Sequence, residues 1–276
     1  MTEVTISIVV FNTPYTVVVR CLAFVLQSIR FARKASENRL RCSVCLINNS
    51  APGLSKRLAD EGVGSLFVKH GCVLSVMEGH GNVGYGKAQN LSIKHNSGEY
   101  SLIMNPDVRV AHDAILEGVN YLETHDSVVA LSPRCRSASG TRTYLCKSYP
   151  SIFNLFLRGL APSWARQLFR SRLSRYELKE LQDAPNPSGV SIISGCFMFC
   201  RAPVLRAVGG FDERFFLYFE DFDLSLRLSD RGRLKFIPTL TIEHDGGGAS
   251  KKGFRHIGMF LSSAVKFFNK HGWRWF

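Results

Sequence analysis

The sequence is short of acid. Aspartate and glutamate number 22 against 35 lysines and arginines, a formal net charge of +13 at neutral pH. That excess points to an anionic partner: a nucleic acid, a nucleotide diphosphate or an anionic membrane surface. Long hydrophobic runs are missing as well. No uninterrupted apolar run reaches the ~18 residues of a bilayer span. The opening MTEVTISIVV contains an acid and no basic leader, so no secretory signal is expected there. Without export, the eight cysteines are expected to be reduced thiols in the cytoplasm. Only one C-x-x-C occurs, Cys42 and Cys45, within a run that reads as a strand. Residues three apart on a strand point to opposite faces, which argues against zinc. Internal repeats and low-complexity tracts are absent too. With 45% hydrophobic residues and 21% charge, the chain can build an ordinary globular core.

What is present is an alternation of strands and helices. Strands are expected over 4–11, 42–47, 73–77 and 100–104, with helices over 17–33, 54–61 and 84–95 between them. Such an order means βαβ units and an open, doubly wound sheet. One domain over 1–276 is expected, with an alternating first half at about 1–133 and a basic, irregular insertion at about 134–187. A second half at about 188–276 follows, with strands over 191–199, 234–237 and 240–244 and a closing helix over 256–271. In open α/β sheets ligands bind beyond the carboxyl ends of the strands. Four successive strand ends carry Asn12-Thr13, Asn48-Asn49-Ser50, the glycine-rich 79–86 and Asn105-Pro106-Asp107. Any one of these is simply a turn, but four on one edge make a binding site.

Several residues there can carry chemistry. The turn 79-GHGNVGYGKAQN-90 runs into a helix and can offer backbone N–H groups to phosphate, with Lys87 adding charge. Its spacing matches neither the dinucleotide fingerprint nor the P-loop. Asp107 is placed to hold a divalent cation or merely closes an Asn-Pro-Asp turn. His244, before three glycines, is a surface histidine or a second metal ligand. In 213-ERFFLYFEDFDLSLRL-228 acids are pressed among rings. Carboxylates near apolar groups resist ionisation, which suits a general base at Asp221. The same acids also suit the start of a helix, favoured by its dipole.

The stretches 6-ISIVVFN-12, 46-LINNS-50, 81-GNVGYGKAQN-90, 104-MNPDV-108, 194-SGCFMFCR-201, 208-VGGFDERFFLYFEDFDLSLR-227 and 244-HDGGGAS-250 carry a resemblance over nearly the whole chain. In order and spacing they resemble the family 2 inverting glycosyltransferases of the GT-A fold, and most of all the bacterial rhamnosyltransferase-like members. The resemblance implies an α/β fold of GT-A type: an open, mostly parallel twisted sheet flanked by helices, with a basic helical insertion and a C-terminal amphipathic helix. It makes about 1–133 the nucleotide-sugar half and about 188–276 the acceptor and catalytic half. It implies donor contacts at Asn12, Asn48, Asn82, Gly84, Lys87, Asn105 and Asp107, and Mg²⁺ or Mn²⁺ at Asp107 and His244. Asp221, paired with Glu220, would be the catalytic base, and Asp223 and Phe219 would line the acceptor site. Two departures stand out. Asn48 occupies the place of an aspartate that grips the pyrimidine, and Asn105 replaces the first aspartate of D-x-D.

The implied reaction is a single in-line displacement from dTDP-L-rhamnose, or else a UDP-hexose. The acceptor would be a bacterial surface glycan or a lipid-linked saccharide, met at the inner face of the cell membrane. A sugar nucleotidyltransferase would want a basic glycine-rich loop after the first strand, where 11-FNTPYT-16 has neither Gly nor Lys. A nucleic-acid-binding protein would want basic residues interleaved with exposed aromatics. Only 156–176 comes near that pattern, and no nucleic-acid partner is expected. The tail 270-KHGWRWF-276 suits a lipid headgroup layer, with 158–175 a second candidate. Ile257, Phe260, Leu261, Ala264 and Phe268 form a stripe expected to pack on the sheet.

Overall fold

The computed structural model describes residues 1–244 and 254–276. Its first half is the expected alternation: β1 (Thr2–Val10), α1 (Tyr15–Ala35), β2 (Leu40–Asn48), α2 (Leu54–Asp60), α3 (Val63–Lys69), β3 (Val73–Met77), α4 (Tyr85–His95) and β4 (Tyr100–Met104). These four strands lie in the order β3-β2-β1-β4 and run parallel. Val4–Val10 of β1 is buried along its whole length, as a strand covered by helices on both faces requires. α1 is long and apolar enough to cross a membrane by length and composition alone. Its buried residues, however, recur at helical spacing (Val18, Cys21, Leu22, Val25, Ile29, Ala32), while Arg20, Gln27, Arg30 and Lys34 face water. It is a helix covering one face of the sheet.

The chain continues through β5 (Val108–Val110), α5 (Ala114–Thr124) and β6 (Val128–Arg136), none of which stood out in the sequence. Pro133 obscures β6, since proline is rare inside central strands. The ladder accommodates it: β11 pairs with β6 only at Ala130 and Leu131, ahead of the proline. Short strands β7 (Arg142–Thr143) and β8 (Cys146–Lys147) lead into α6 (Ile152–Gly159), α7 (Ser163–Leu168) and α8 (Arg170–Tyr176). The basic segment is therefore mainly helical, with Ser151 capping α6 by accepting from the Asn154 N–H. It has its own small core of Leu157, Ala161, Ala165 and Leu173.

After β9 (Ser188–Gly189) and β10 (Ile192–Ile193), the chain breaks at Ser194-Gly195-Cys196 before β11 (Phe197–Arg201). One continuous strand was expected here. α9 (Ala202–Ala207), α10 (Glu220–Ser229), β12 (Arg233–His244) and α11 (Phe254–His271) complete the chain. β12 is one strand with a register shift between Ile237 and Thr241, where two strands were expected. The main sheet runs β3-β2-β1-β4-β11-β6-β12-β5, with β11 and β5 antiparallel to their neighbours. Cys42 and Cys45 lie in different apolar clusters on opposite faces of β2.

α11 departs from expectation. It buries Ala264, Phe267 and Phe268 against Phe215 and Phe219 ahead of α10, while Ile257 and Leu261 stay exposed. The 215–222 segment, together with Tyr149, Ile152 and Leu155, and not the sheet, is its partner.

Candidate active site

Because β1, β2 and β4 are parallel, their carboxyl ends open on one edge, into a cleft of about 880 Å³. Asn12, Asn82, Gly84, Asn105, Asp107, Glu220, Asp221 and His244 all line it. His244 is far from Asp107 in sequence and reaches it through strand register: β12 pairs antiparallel with β5, setting His244 opposite Val108. Its Nε2 then lies 3.2 Å from an Asp107 carboxylate oxygen.

Across the cleft stand Glu220 and Asp221, in the first turn of α10. The chain enters that helix through two consecutive aromatic residues with positive φ, Tyr218 (69°) and Phe219 (63°). Left-handed backbone at bulky residues is costly and persists where the surroundings enforce it. Here it turns the helix start into the cleft. Asp221 Oδ2 accepts from the Gly195 N–H at 2.9 Å, and Oδ1 accepts from the Phe222 N–H at 3.0 Å. Burial pushes the Asp221 carboxyl above its ordinary range, against the pull of those N–H donors and of Lys147. Glu220 is pushed up by burial and then by the charge of Asp221, and its Oε2 is buried with no hydrogen-bond partner among the described residues. Two adjacent acids with raised affinity for protons can share one charge at neutral pH.

Four expected site residues lie elsewhere. Asp223 is fully buried and bonded to Arg227, Lys270 and His271. Two residues beyond Asp221 on a helix, it points some 200° away, and so it ties α10 to α11 instead of facing an acceptor. Phe219 is buried among Phe222, Phe260 and Phe267; these rings form a core and do not wall the cleft. Lys87 pairs with Glu213 on the surface, 3.7 Å away. Asn48 is buried below the cleft edge, with its amide donating to Ala51 O and Glu78 and its Oδ1 accepting from the Ser50 N–H. The three glycines after His244 lie outside the described residues.

Other lining residues were not picked out beforehand. Tyr85 donates its hydroxyl to Gly195 O at 2.5 Å, and so holds the 194–196 break whose N–H holds Asp221. Asn49 donates to Gly84 O and Asn82 and contacts His80. Tyr218 and His256 meet at 3.0 Å across the cleft mouth. Gly84 has a steric reason to be glycine: φ is 88°, and a Cβ there would sit 2.5 Å from Phe216 O.

A divalent cation can be tested against these side chains. A hard cation wants oxygen donors, with imidazole tolerated for Mn²⁺. Asp107 supplies a carboxylate and Asn105 a carbonyl, and His244 supplies Nε2. The buried Nδ1 of His244 has no partner among the described residues. No group of three or more His, Cys, Asp or Glu gathers among the described residues. The set fits a cation that takes its remaining ligands from a diphosphate and water.

The sequence profile of glycosyl transferase family 2 matches residues 5–207. The chain belongs to this family. Among the relatives of this family 2 member is the N-acetylglucosaminyl-diphospho-decaprenol L-rhamnosyltransferase of Mycobacterium tuberculosis H37Rv, 29% identical over 176 residues. The match covers 59% of this chain and 56% of the relative, so the chain spans little more than half of that protein. Rhamnosyltransferase WbbL of Escherichia coli K12 is 26% identical over 190 residues, covering 63% of this chain and 67% of the relative. GalNAc-T7 with UDP, GalNAc and Mn²⁺ superposes with a TM-score of 0.64 at 13% identity, covering 97% of this chain and 48% of the other. The mannosyltransferase PcManGT of Pyrobaculum calidifontis, in complex with GDP-Man and Mn²⁺, gives 0.57 at 15% identity, with 95% and 64% covered. The fold of this family 2 chain is thus GT-A-like, as the sequence resemblance implied. The profile match ends before α10, so Glu220, Asp221 and His244 rest on geometry.

Proposed function

We propose that the chain is an inverting glycosyltransferase that moves a sugar from a nucleotide-sugar donor to an acceptor hydroxyl. One observation carries this: the raised acid pair Glu220–Asp221 faces the Asp107–His244 pair across a single cleft at the strand ends. Asp221, its oxygens fixed by the Gly195 and Phe222 N–H groups, takes the proton of the acceptor hydroxyl. The freed oxygen forms a bond to the anomeric carbon as the bond to the diphosphate breaks on the opposite face, so configuration inverts. Mg²⁺ or Mn²⁺ held by Asp107 and His244 would supply positive charge to the departing diphosphate. Asn49, Asn82 and Gly84 line the donor side.

The best donor is dTDP-L-rhamnose, with a UDP-hexose as the alternative. The acceptor is a lipid-linked or surface glycan, and the enzyme works peripherally at the inner face of the cell membrane. The names of the sequence relatives support the sugar, and one of them supports a lipid-linked acceptor. The test is transfer from a panel of dTDP-, UDP- and GDP-sugars to a lipid-diphosphate-linked N-acetylglucosamine, with product configuration read by NMR. Transfer from dTDP-rhamnose with inversion is expected. Retention of configuration, or no transfer from any donor, would overturn the reading.

A further inference from the structure

The two stretches that the sequence marks for a membrane surface are separate in the chain but joined in the fold. The tail lies along the start of α6: the Ile152 N–H donates to Arg274 O at 2.8 Å, and the Phe153 N–H to Trp275 O at 3.1 Å. Phe153 then touches both Phe276 in the tail and Phe169 after α7, at ring separations of 5.7 and 5.0 Å. Arg172 of α8 lies over the same ring.

This united face is unusually apolar at its surface. Leu160, Trp164 and Leu168 are each 70% or more exposed, and Trp275 and Phe276 are 63% and 84% exposed. It is also poor in negative charge: neither 151–176 nor 254–276 contains an acidic residue, and Glu177 at its border is paired with Arg158 and Lys179. Beside the apolar side chains, Arg170, Arg175, Lys179, Ser171 and Ser174 line a hollow of about 420 Å³. Arg170 and Arg175 have no acidic partner among the described residues.

We infer that this face docks on an anionic lipid bilayer, with the arginine-lined hollow receiving lipid phosphates. Apolar side chains enter the boundary between headgroups and acyl chains, tryptophans settle at its level, and arginines pair with phosphate oxygens. Single-stranded nucleic acid fits less well, because exposed leucines cannot stack on bases as aromatic rings do. The inference rests on surface chemistry: it gives the proposed membrane location a docking face and stands apart from the transfer chemistry of the cleft.

All three tryptophans of the chain, Trp164, Trp273 and Trp275, lie on this face, so intrinsic fluorescence reports on docking with no label. The test titrates the full chain, without donor or acceptor, with phosphatidylglycerol–phosphatidylcholine vesicles, phosphatidylcholine vesicles and a single-stranded RNA oligomer. Binding is followed by co-sedimentation and emission wavelength. Expected are a blue shift and co-sedimentation with anionic vesicles alone, weakening as salt rises from about 0.1 to about 0.5 M. Arg170→Ala with Arg175→Ala should weaken partitioning about tenfold or more, and Trp164→Ser with Leu168→Ser should abolish most of the emission shift. These side chains are exposed, so an unchanged circular dichroism melt checks that the variants fold. Equal, negligible binding to both vesicle types would overturn the inference, as would binding to RNA alone or vesicle binding indifferent to both variants. Any of these would also count against the membrane location but leaves the transfer chemistry of the cleft standing.

Discussion

Asp221 and Glu220 share a helix turn and a cleft, and the two are separated by what touches them. Asp221 has N–H donors on both oxygens, which favour its charged form, while Glu220 has a buried oxygen with no donor. The charge therefore rests on Asp221 and the proton on Glu220. Asp221→Asn should lower the transfer rate by ~10²–10⁴-fold with donor affinity nearly unchanged. Glu220→Gln imitates the protonated acid and should stay within about tenfold of wild type. Single-turnover rates of both variants check the assignment, and the reverse order would move the base to Glu220. A base must be deprotonated to act, and burial raises the Asp221 pKa. Activity should therefore climb with pH along a limb lying above the ordinary carboxylate value of about 4.

The other wall of the cleft has its own test. Asp107→Ala should remove calorimetrically detectable Mn²⁺ binding and weaken nucleotide-diphosphate affinity, and EDTA should do the same to wild type. Diphosphate binding indifferent to EDTA would assign the neutralising charge to nearby basic residues instead. These single residues were legible because strand ends in a parallel sheet gather on one edge. His80, Tyr85 and Gly195 were not, because nothing local marks a group, side chain or backbone, whose task is to hold another.

At the scale of elements, α10 has two working sides. Glu220 and Asp221 open to the cleft, and Asp223 turns inward to Arg227, Lys270 and His271. Burial alone would raise the Asp223 pKa, but hydrogen bonds from Lys270 and His271 and the charge of Arg227 outweigh it, so the net shift is downward. A depressed carboxylate stabilises the fold above its unfolded pKa of about 3.9, and that stability is lost as pH falls through the lower folded value. Asp223→Ala, which strands the Arg227 guanidinium and removes a partner from Lys270 and His271, should cost about 3–5 kcal/mol at neutral pH. The loss should shrink below pH ~4, as chemical denaturation at two pH values would measure.

The same helix shows where reading a sequence fails. Spacing alone says that residues 221 and 223 face different ways, but aromatic neighbours suggested one shared pocket. The rings instead bind α11, whose buried stripe is shifted toward Phe267. β6 was hidden by its proline. The break at 194–196 was invisible because its flanks read as one apolar run.

For the whole molecule, the parallel edge and the alternation of elements were readable, since both follow from local periodicity. The joining of the tail to α6 was not, because it depends on two backbone hydrogen bonds between segments more than a hundred residues apart. That junction explains where much of the surplus positive charge resides: on an acid-poor face apart from the cleft.

The Asp223 cluster gives the molecule a short mechanical line. Lys270 and His271 precede the tail, and the carboxylate they hold sits on the same helix turn as the base. A bilayer gripping the tail would therefore act, through Lys270, His271 and Asp223, on the helix that positions Asp221. Energetic coupling between two binding sites is reciprocal: whatever factor docking gives to acceptor affinity, the acceptor must give back to docking. A water-soluble acceptor analogue should thus tighten vesicle binding by the same factor by which vesicles tighten the analogue. Asp223→Asn should bring both factors toward one. Paired titrations of vesicle against analogue, and of analogue against vesicle, would read the two numbers, and factors of one in both directions would mean that the tail and the cleft do not communicate through α10.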